Sequence, residues 1–434
     1  MQLKKNKRFV QFHQSYIQQG EIKEVVDTLK SGWITTGPRT KRFEEDFKKY
    51  IGCRHAIGLN SCTAGLHLSL AALNIGDGDE VITSPITFPA TANVIIHQKA
   101  TPVFVDVEMG TLNMDVSKIE EKITKRTKAI MPVHFAGHPC NMNKIMDIAK
   151  RHKLSVIEDA AHAIESEYNG KKVGNIGDFT SFSFYATKNI TTGEGGMLTT
   201  NNDELAEKVR MLSLHGISKD AWKRYLPQNS PFVKGAGHPS GGWVGGFQHW
   251  ELFYPGFKYN MFDIQAAIGI HQLKRINSFL ERRKKYVDMY NKAFEDIPEI
   301  VPLKIKSRMK HAHHLYVIII KTEELNADRD EIMSEIQNNG VGVGVHFRTL
   351  HLQPYFQNKS PIRPPLTSPL SPPSEGGEGE VAKGGRGGFE RGMFPVAEYV
   401  SDRVISLPLY PKMSVSDVRY VIKVVKEVIE GFRK

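Results

Sequence analysis

The sequence predicts an α/β protein in which a mainly parallel sheet is covered on both faces by helices and a smaller α/β unit follows. Three observations carry this. Short β-branched runs at 55–59, 80–83, 102–107, 128–134 and 154–158 alternate with helical patterns at 62–73, 89–98, 116–123 and 142–152. That rhythm is the signature of βαβ units. Two further β-prone runs, 180–185 and 196–200, raise the expected sheet to seven strands. At 434 residues the chain also exceeds one ordinary core, so a second unit is expected.

The chain opens with a helical pattern over 21–31, where Ile22, Val25, Val26 and Leu29 recur at helical spacing and Gly32 acts as a stop. A turn-rich link, Gly32 to Pro38, leads to a second helix over 41–51 with Phe43, Phe47, Tyr50 and Ile51. After the alternating stretch, 203–214 and 263–292 read as helices. The second is long and charged and is expected to join the two units, so the boundary is set between a large unit, 8–262, and a small one, 263–434. Strands at 314–320 and 341–346 and a last helix at 415–432 complete the small unit. Two segments differ in composition. Residues 227–249 are rich in Gly and Pro, with Trp243 and Trp250 nearby. Residues 358–392 hold Pro361, Pro364, Pro365, Pro369, Pro372 and Pro373 and then paired glycines. The second composition buries too little apolar surface to offset chain entropy, and a disordered insertion is expected there.

Composition narrows the function classes. The hydrophobic share of 40% and charged share of 24% are those of a soluble globular protein. No apolar run approaches the roughly 20 residues that cross a bilayer. The basic start, Met1 to Arg8, is not followed by an apolar signal region, so the cytoplasm is the expected location. Cys53, Cys62 and Cys140 lack C-x-x-C spacing, which argues against disulfides and structural zinc. His311, His313 and His314 form a short tract without a partnering carboxylate or Cys, and no metal is expected there. The net charge of +11 favours an anionic partner, nucleic acid or a phosphorylated small molecule. The basic residues are scattered and no arginine-rich arm is present, which favours the small molecule.

Chemistry is expected at the carboxyl ends of the parallel strands, and Asp159, Ser183 and Lys188 all fall there. Each residue alone has a plain structural reading. Lys188 could be a surface lysine in a loop, Asp159 a cap, Phe88 or His162 a packing ring, and the Asn60-Ser-Cys-Thr-Ala-Gly65 turn an ordinary helix start. Their joint presence says more. A lysine amine forms a Schiff base with an aldehyde. A carboxylate beside a pyridine nitrogen keeps that ring protonated and makes it an electron sink. A helix start with free N–H groups holds a phosphate dianion, and an aromatic ring stacks on a planar one. The set describes a pyridoxal 5′-phosphate (PLP) site.

The motifs that surround these residues carry a resemblance. They are Ser31-Gly-Trp-Ile-Thr-Thr-Gly-Pro38, Asn60-Ser-Cys-Thr-Ala-Gly-Leu-His67, Thr87-Phe-Pro-Ala-Thr-Ala-Asn93, Glu158-Asp-Ala-Ala-His162, Ser181-Phe-Ser-Phe-Tyr-Ala-Thr-Lys-Asn189, Gly193-Glu-Gly-Gly196, Tyr259-Asn-Met-Phe-Asp-Ile-Gln-Ala-Ala267 and Ile405-Ser-Leu-Pro408. From about residue 8 to the C-terminus, outside the two odd segments, the chain resembles the DegT/DnrJ/EryC1/StrS sugar aminotransferases, which have the aspartate-aminotransferase-like fold type I. The resemblance implies that Lys188 holds PLP covalently and Asp159 pairs with the ring nitrogen. Phe88 and His162 would sandwich the ring, and Thr63, Ala64 and Ser183 would hold the phosphate. Asn260 would reach the phosphate of a neighbouring subunit, making a homodimer with shared sites. Gly32, Trp33, Ile34, Thr35, Cys62, His346, Phe347 and Arg348 would face the substrate. The implied reaction passes an amino group from glutamate, released as 2-oxoglutarate, to a keto group on a nucleotide-linked deoxy sugar.

Two alternatives have distinct sequence signatures. A sugar dehydratase of the same family carries histidine where this chain has Lys188. A non-catalytic sensor of the same fold would have no need of Lys188, Asp159 and Ser183 together, and no helix-turn-helix appendage is evident.

Overall fold

The computed structural model describes residues 8–217, 251–357 and 388–434. The 227–249 segment and most of 358–392 lie outside the described residues, and with them the expectation of a disordered insertion.

Two helices open the chain, α1 (Gln19–Lys30) and α2 (Pro38–Ile51). The first strands and helices are β1 (His55–Leu59), α3 (Cys62–Ala72), β2 (Glu80–Thr83), α4 (Pro89–His97) and β3 (Thr101–Phe104). They continue as β4 (Thr127–Met131), α5 (Met142–His152) and β5 (Ser155–Asp159). A small hairpin, β6 (Glu167–Tyr168) and β7 (Lys171–Lys172), precedes β8 (Phe179–Ser183), β9 (Gly196–Thr200) and α6 (Asp203–Leu212).

β1, β9, β8, β5, β4, β2 and β3 lie side by side in that order as one seven-stranded sheet. β9 pairs antiparallel with both β1 and β8, and the other pairs are parallel, so β9 alone runs against the rest. The predicted mainly parallel sheet is therefore the observed one. The carboxyl ends of β1, β2, β5 and β8, and the start of β9, share one edge.

α3 is buried on nearly every side because it lies between the sheet and α4 and α6, with Leu66, Leu68 and Leu70 almost fully enclosed. α5 is amphipathic, with Ile145, Ile148 and Ala149 turned inward and Lys150, Arg151 and His152 in its last turn, where the helix dipole favours positive charge.

Beyond the sheet come α7 (Asp263–Lys274) and α8 (Ile276–Phe294). The smaller unit is built on β10 (Ile300–Pro302), β12 (Tyr316–Ile320) and β13 (Val404–Leu407), while β11 (Met309–Lys310) joins the β6–β7 hairpin. α8, α9 (Arg329–Asn338) and α11 (Val415–Phe432) cover the three-stranded sheet, and α10 (Pro395–Ser401) precedes β13. Tyr290, Ile318, Ile332, Val421 and Val425 form its core.

Four features differ from the sequence reading. Residues 116–123 make two separate 3-10 turns, Val116–Lys118 and Glu120–Lys122, because the Asp115 carboxylate caps Ser117 and the stretch is too short to propagate a helix. Residues 341–346 make only isolated pairings, Val341 with Val10 and Gly344 with Ser406. α7 and the start of α8 pack with the large unit, where Ile270, Ile276 and Phe279 cover Phe43, Phe47 and Phe182. The N-terminal segment meanwhile crosses to the smaller unit, where Val10 joins its core and Arg8 pairs with Asp417 at 2.6 Å. α1 forms as predicted, and its apolar residues face outward. Ile22, Val26 and Leu29 are 49%, 39% and 53% exposed, whereas Glu21 and Thr28 are buried. Glu21 is drawn inward by Arg275 and by the Gln272 amide, which donates to it at 2.8 Å.

Candidate active site

The turns at the carboxyl edge of the large sheet bring the candidate residues together. β1 runs into the start of α3, where the Ser61 hydroxyl accepts from the Ala64 N–H at 3.0 Å and caps the helix. β8 holds this helix start in place: the Ser181 hydroxyl donates to the Cys62 carbonyl at 2.9 Å. Two glycines permit the approach. A Cβ on Gly65 would lie 2.2 Å from the Ser181 hydroxyl, and one on Gly196 would lie 2.3 Å from the Ser61 carbonyl carbon. The result is an accessible helix N-terminus whose first N–H groups lack intrahelical partners, a site suited to a phosphate. Thr63 stands exposed there. Ala64, expected to share the phosphate, gives its N–H to Ser61 instead.

Lys188 follows β8 in a loop tied down on several sides. Its own N–H donates to the Tyr185 carbonyl at 2.9 Å, and the Ser15 hydroxyl donates to the Ala186 carbonyl at 2.9 Å. The Asn189 amide donates to Glu165 at 2.5 Å, and Glu165 is itself paired with the buried Arg283 of α8. Burial lowers the Lys188 amine to about 8 from an ordinary 10.5, opposed by the neighbouring Cys62 thiol and the Asp159 carboxylate. The Ser183 hydroxyl accepts from the Tyr185 N–H at 3.3 Å.

Asp159 ends β5 in a buried position. Burial raises its carboxyl above the ordinary range, and two donors offset this: the Thr91 hydroxyl at 2.8 Å and the Ala161 N–H at 3.1 Å. Each donor uses a different carboxylate oxygen, so each oxygen keeps an acceptor position for a further partner.

Aromatic rings line the space above. The buried His162 ring lies 4.3 Å from that of His314 and stacks at 6.0 Å on Phe347. Burial, then the Lys188 charge, holds His162 well below its ordinary value, so the ring is neutral. Its Nδ1 is buried without a partner among the described residues. Phe88, the residue before α4, is 61% exposed with its ring 6.2 Å from Phe347, so Phe347 bridges the two expected ring partners. His346 bonds the Ser406 hydroxyl at 2.9 Å and stacks on Phe12, and Arg348 is exposed. A cavity of about 30 Å³, bounded by His13, Lys188, His314 and His346, opens beside the lysine.

The remaining candidates form a second group. The Trp33 indole donates to the Thr36 carbonyl at 3.2 Å, and the Asp263 N–H donates to Thr35 at 3.2 Å. Gly32 adopts φ +73°, and Ile34 is half exposed. The Asn260 amide donates to the Thr36 hydroxyl at 2.6 Å within its own chain, and Asn260 pairs with Leu59 beside the start of α3.

Four residues near Lys188 and Asp159 escaped the sequence reading: Thr87, Thr91, His13 and His314. The two threonines lie inside a quoted motif, but nothing local shows that one of them meets a carboxylate 68 residues later. Among the described residues no cluster is arranged to hold a metal, and His314 packs on His162 instead.

A half-buried amine of lowered pKa, a carboxylate with free acceptor positions, a phosphate-ready helix start and a neutral aromatic face fit PLP. The model for the DegT/DnrJ/EryC1/StrS aminotransferase family matches residues 15–371. The chain is 50% identical to the uncharacterized protein MJ1066 of Methanocaldococcus jannaschii, over 95% of this chain and 96% of that one. It is 42% identical to the spore coat polysaccharide biosynthesis protein SpsC of Bacillus subtilis, with 99% of both covered. Among solved structures it is similar to Spr1654 from Streptococcus pneumoniae, assigned as a sugar aminotransferase and solved in PMP and PLP forms. For the PMP form the TM-score is 0.81 at 33% identity, with 98% of both chains covered.

Proposed function

The chain belongs to the DegT/DnrJ/EryC1/StrS aminotransferase family and is a PLP-dependent sugar aminotransferase, and from that premise we propose that it carries an amino group from glutamate to the keto group of a nucleotide-linked sugar, a UDP-4-keto-6-deoxy sugar first. The observation that carries this reading is the placement of the half-buried Lys188, which lines a cavity in the loop after β8 and lies within the field of the buried Asp159.

PLP, when bound, supplies an aldehyde that captures amino groups and a ring that spreads negative charge. The chain's residues do the rest. Lys188 would hold the cofactor, and an amine held at about 8 is suited to both taking and giving a proton at the donor carbon. Asp159 keeps the ring nitrogen protonated. Thr63 and Ser183 hold the phosphate, with the Ala64 N–H joining only if it leaves Ser61. Phe88 and His162 flank the ring. His346, Phe347 and Arg348 would face the sugar nucleotide, and the +11 charge suits its diphosphate. Cys62, expected with them, is instead buried, with its thiol donating to the Ser181 carbonyl at 3.4 Å.

The active unit we propose is a homodimer. The outward Ile22, Val26 and Leu29 stripe of α1 is an apolar surface of the kind a second copy covers. Gly32, Trp33, Ile34, Thr35 and Asn260 would then serve the opposite site. Sugar nucleotides and glutamate are cytoplasmic metabolites, and the reaction is assigned there.

The test uses the PLP-loaded protein. Glutamate should bleach the visible cofactor absorbance with release of one equivalent of 2-oxoglutarate, and a UDP-4-keto-6-deoxy sugar should restore it. Lys188→Ala should do neither. Bleaching without restoration by UDP-, GDP- or dTDP-linked keto sugars would reject the acceptor class.

A further inference from the structure

The carboxylate of Asp159 has a second line of support behind it. Thr91 lies in the first turn of α4, fully buried, and its hydroxyl donates to Asp159 Oδ2 at 2.8 Å. The Thr87 hydroxyl, also buried, lies 2.7 Å from that of Thr91. An ionised carboxylate only accepts, and a hydroxyl has one proton to give. Thr91 therefore spends its proton on Asp159, and Thr87 must donate to Thr91. The direction of both bonds follows from the charge on Asp159. The backbone fixes the other side: the Asp159 N–H donates to Pro132 at 2.9 Å, and its carbonyl accepts from His134 at 3.1 Å.

We propose that Thr91, backed by Thr87, is a positioning residue for Asp159, a one-way hydroxyl relay that keeps the carboxylate charged and aligned for the pyridine nitrogen of the cofactor. The inference rests on the reading of Asp159 as the partner of that nitrogen. Hydroxyls suit the task because they stabilise the charge without adding one. A lysine or arginine in the same place would neutralise Asp159 and weaken its pull on the ring proton.

The test compares two ligands on the full-length protein stripped of cofactor: PLP and 1-deazapyridoxal phosphate, in which C–H replaces the ring nitrogen. Wild type should prefer PLP, and Asp159→Asn should erase the preference. Thr91→Val should narrow it by about tenfold, the scale of one hydrogen bond to a charged group. Thr91→Ser should restore it, and Thr87→Val should narrow it by a smaller factor, about threefold. An unchanged preference in both valine variants overturns the relay. So does an equal loss for both ligands, which marks a merely structural role. If wild type shows no preference, or Asp159→Asn keeps it, the reading of Asp159 fails first and takes the relay with it. Should Thr91→Val not fold, Thr87→Val alone decides.

Discussion

Gly196 is the position where a single methyl group tests the cradle most directly. It opens β9 opposite Leu59 and Ser183 on the flanking strands. A Cβ there would fall 2.3 Å from the Ser61 carbonyl carbon, 2.5 Å from its oxygen and 2.6 Å from the Cys62 nitrogen. All three are backbone atoms, so no side chain can rotate away. To reach an ordinary contact distance, the first turn of α3 must retreat by about 1 Å. Overpacking of this kind costs about 3 kcal/mol. A shift of about 1 Å in a positioning group costs about 100-fold in rate. Gly196→Ala should therefore lower kcat/KM by about 100-fold and weaken PLP binding. Binding of pyridoxal, which lacks the phosphate, should change little. Absorbance titrations with both ligands and urea unfolding provide the readouts. Wild-type affinity for PLP in the variant, or equal losses for PLP and pyridoxal, would refute the assignment of the phosphate to this turn.

Two further outcomes are expected. Because the amine must be neutral to attack an aldehyde and burial holds Lys188 near 8, reloading of cofactor-free protein with PLP should speed up with pH and level off above about 8. Stopped-flow absorbance measures it, and a rate still climbing at the pH of an exposed lysine would refute the burial argument. Val26→Glu, in the outward stripe of α1, should shift the protein toward a monomer in light-scattering chromatography and reduce activity with it; an intact dimer would move the interface elsewhere.

Much of this protein was legible along the chain because its signals are local. The strand and helix rhythm depends on neighbours a few residues apart, and seven strands emerged where seven were read. Lys188, Asp159 and Ser183 stand out as candidates because the ends of parallel strands converge by topology. The start of α3 was likewise readable from its small, capping residues. Its finer wiring was not: whether Ala64 offers its N–H to a ligand or to Ser61 depends on a rotamer, not a motif.

What the amino-acid order determined, then, is the layered architecture and the chemistry available at its rim. Only tertiary packing decided which way the parts face. The spacing of the apolar residues of α1 marks a helix but not its buried face, which is the one carrying Glu21 because Arg275 and Gln272 wait on that side. α7 sits over Phe43 and Phe47, and Val10 crosses to the smaller unit, because each fills a surface supplied by residues far away in sequence. Thr91 reaches Asp159 for the same reason. A helix or strand can be read from its own period, but its partner is chosen by shape and charge that distant segments bring.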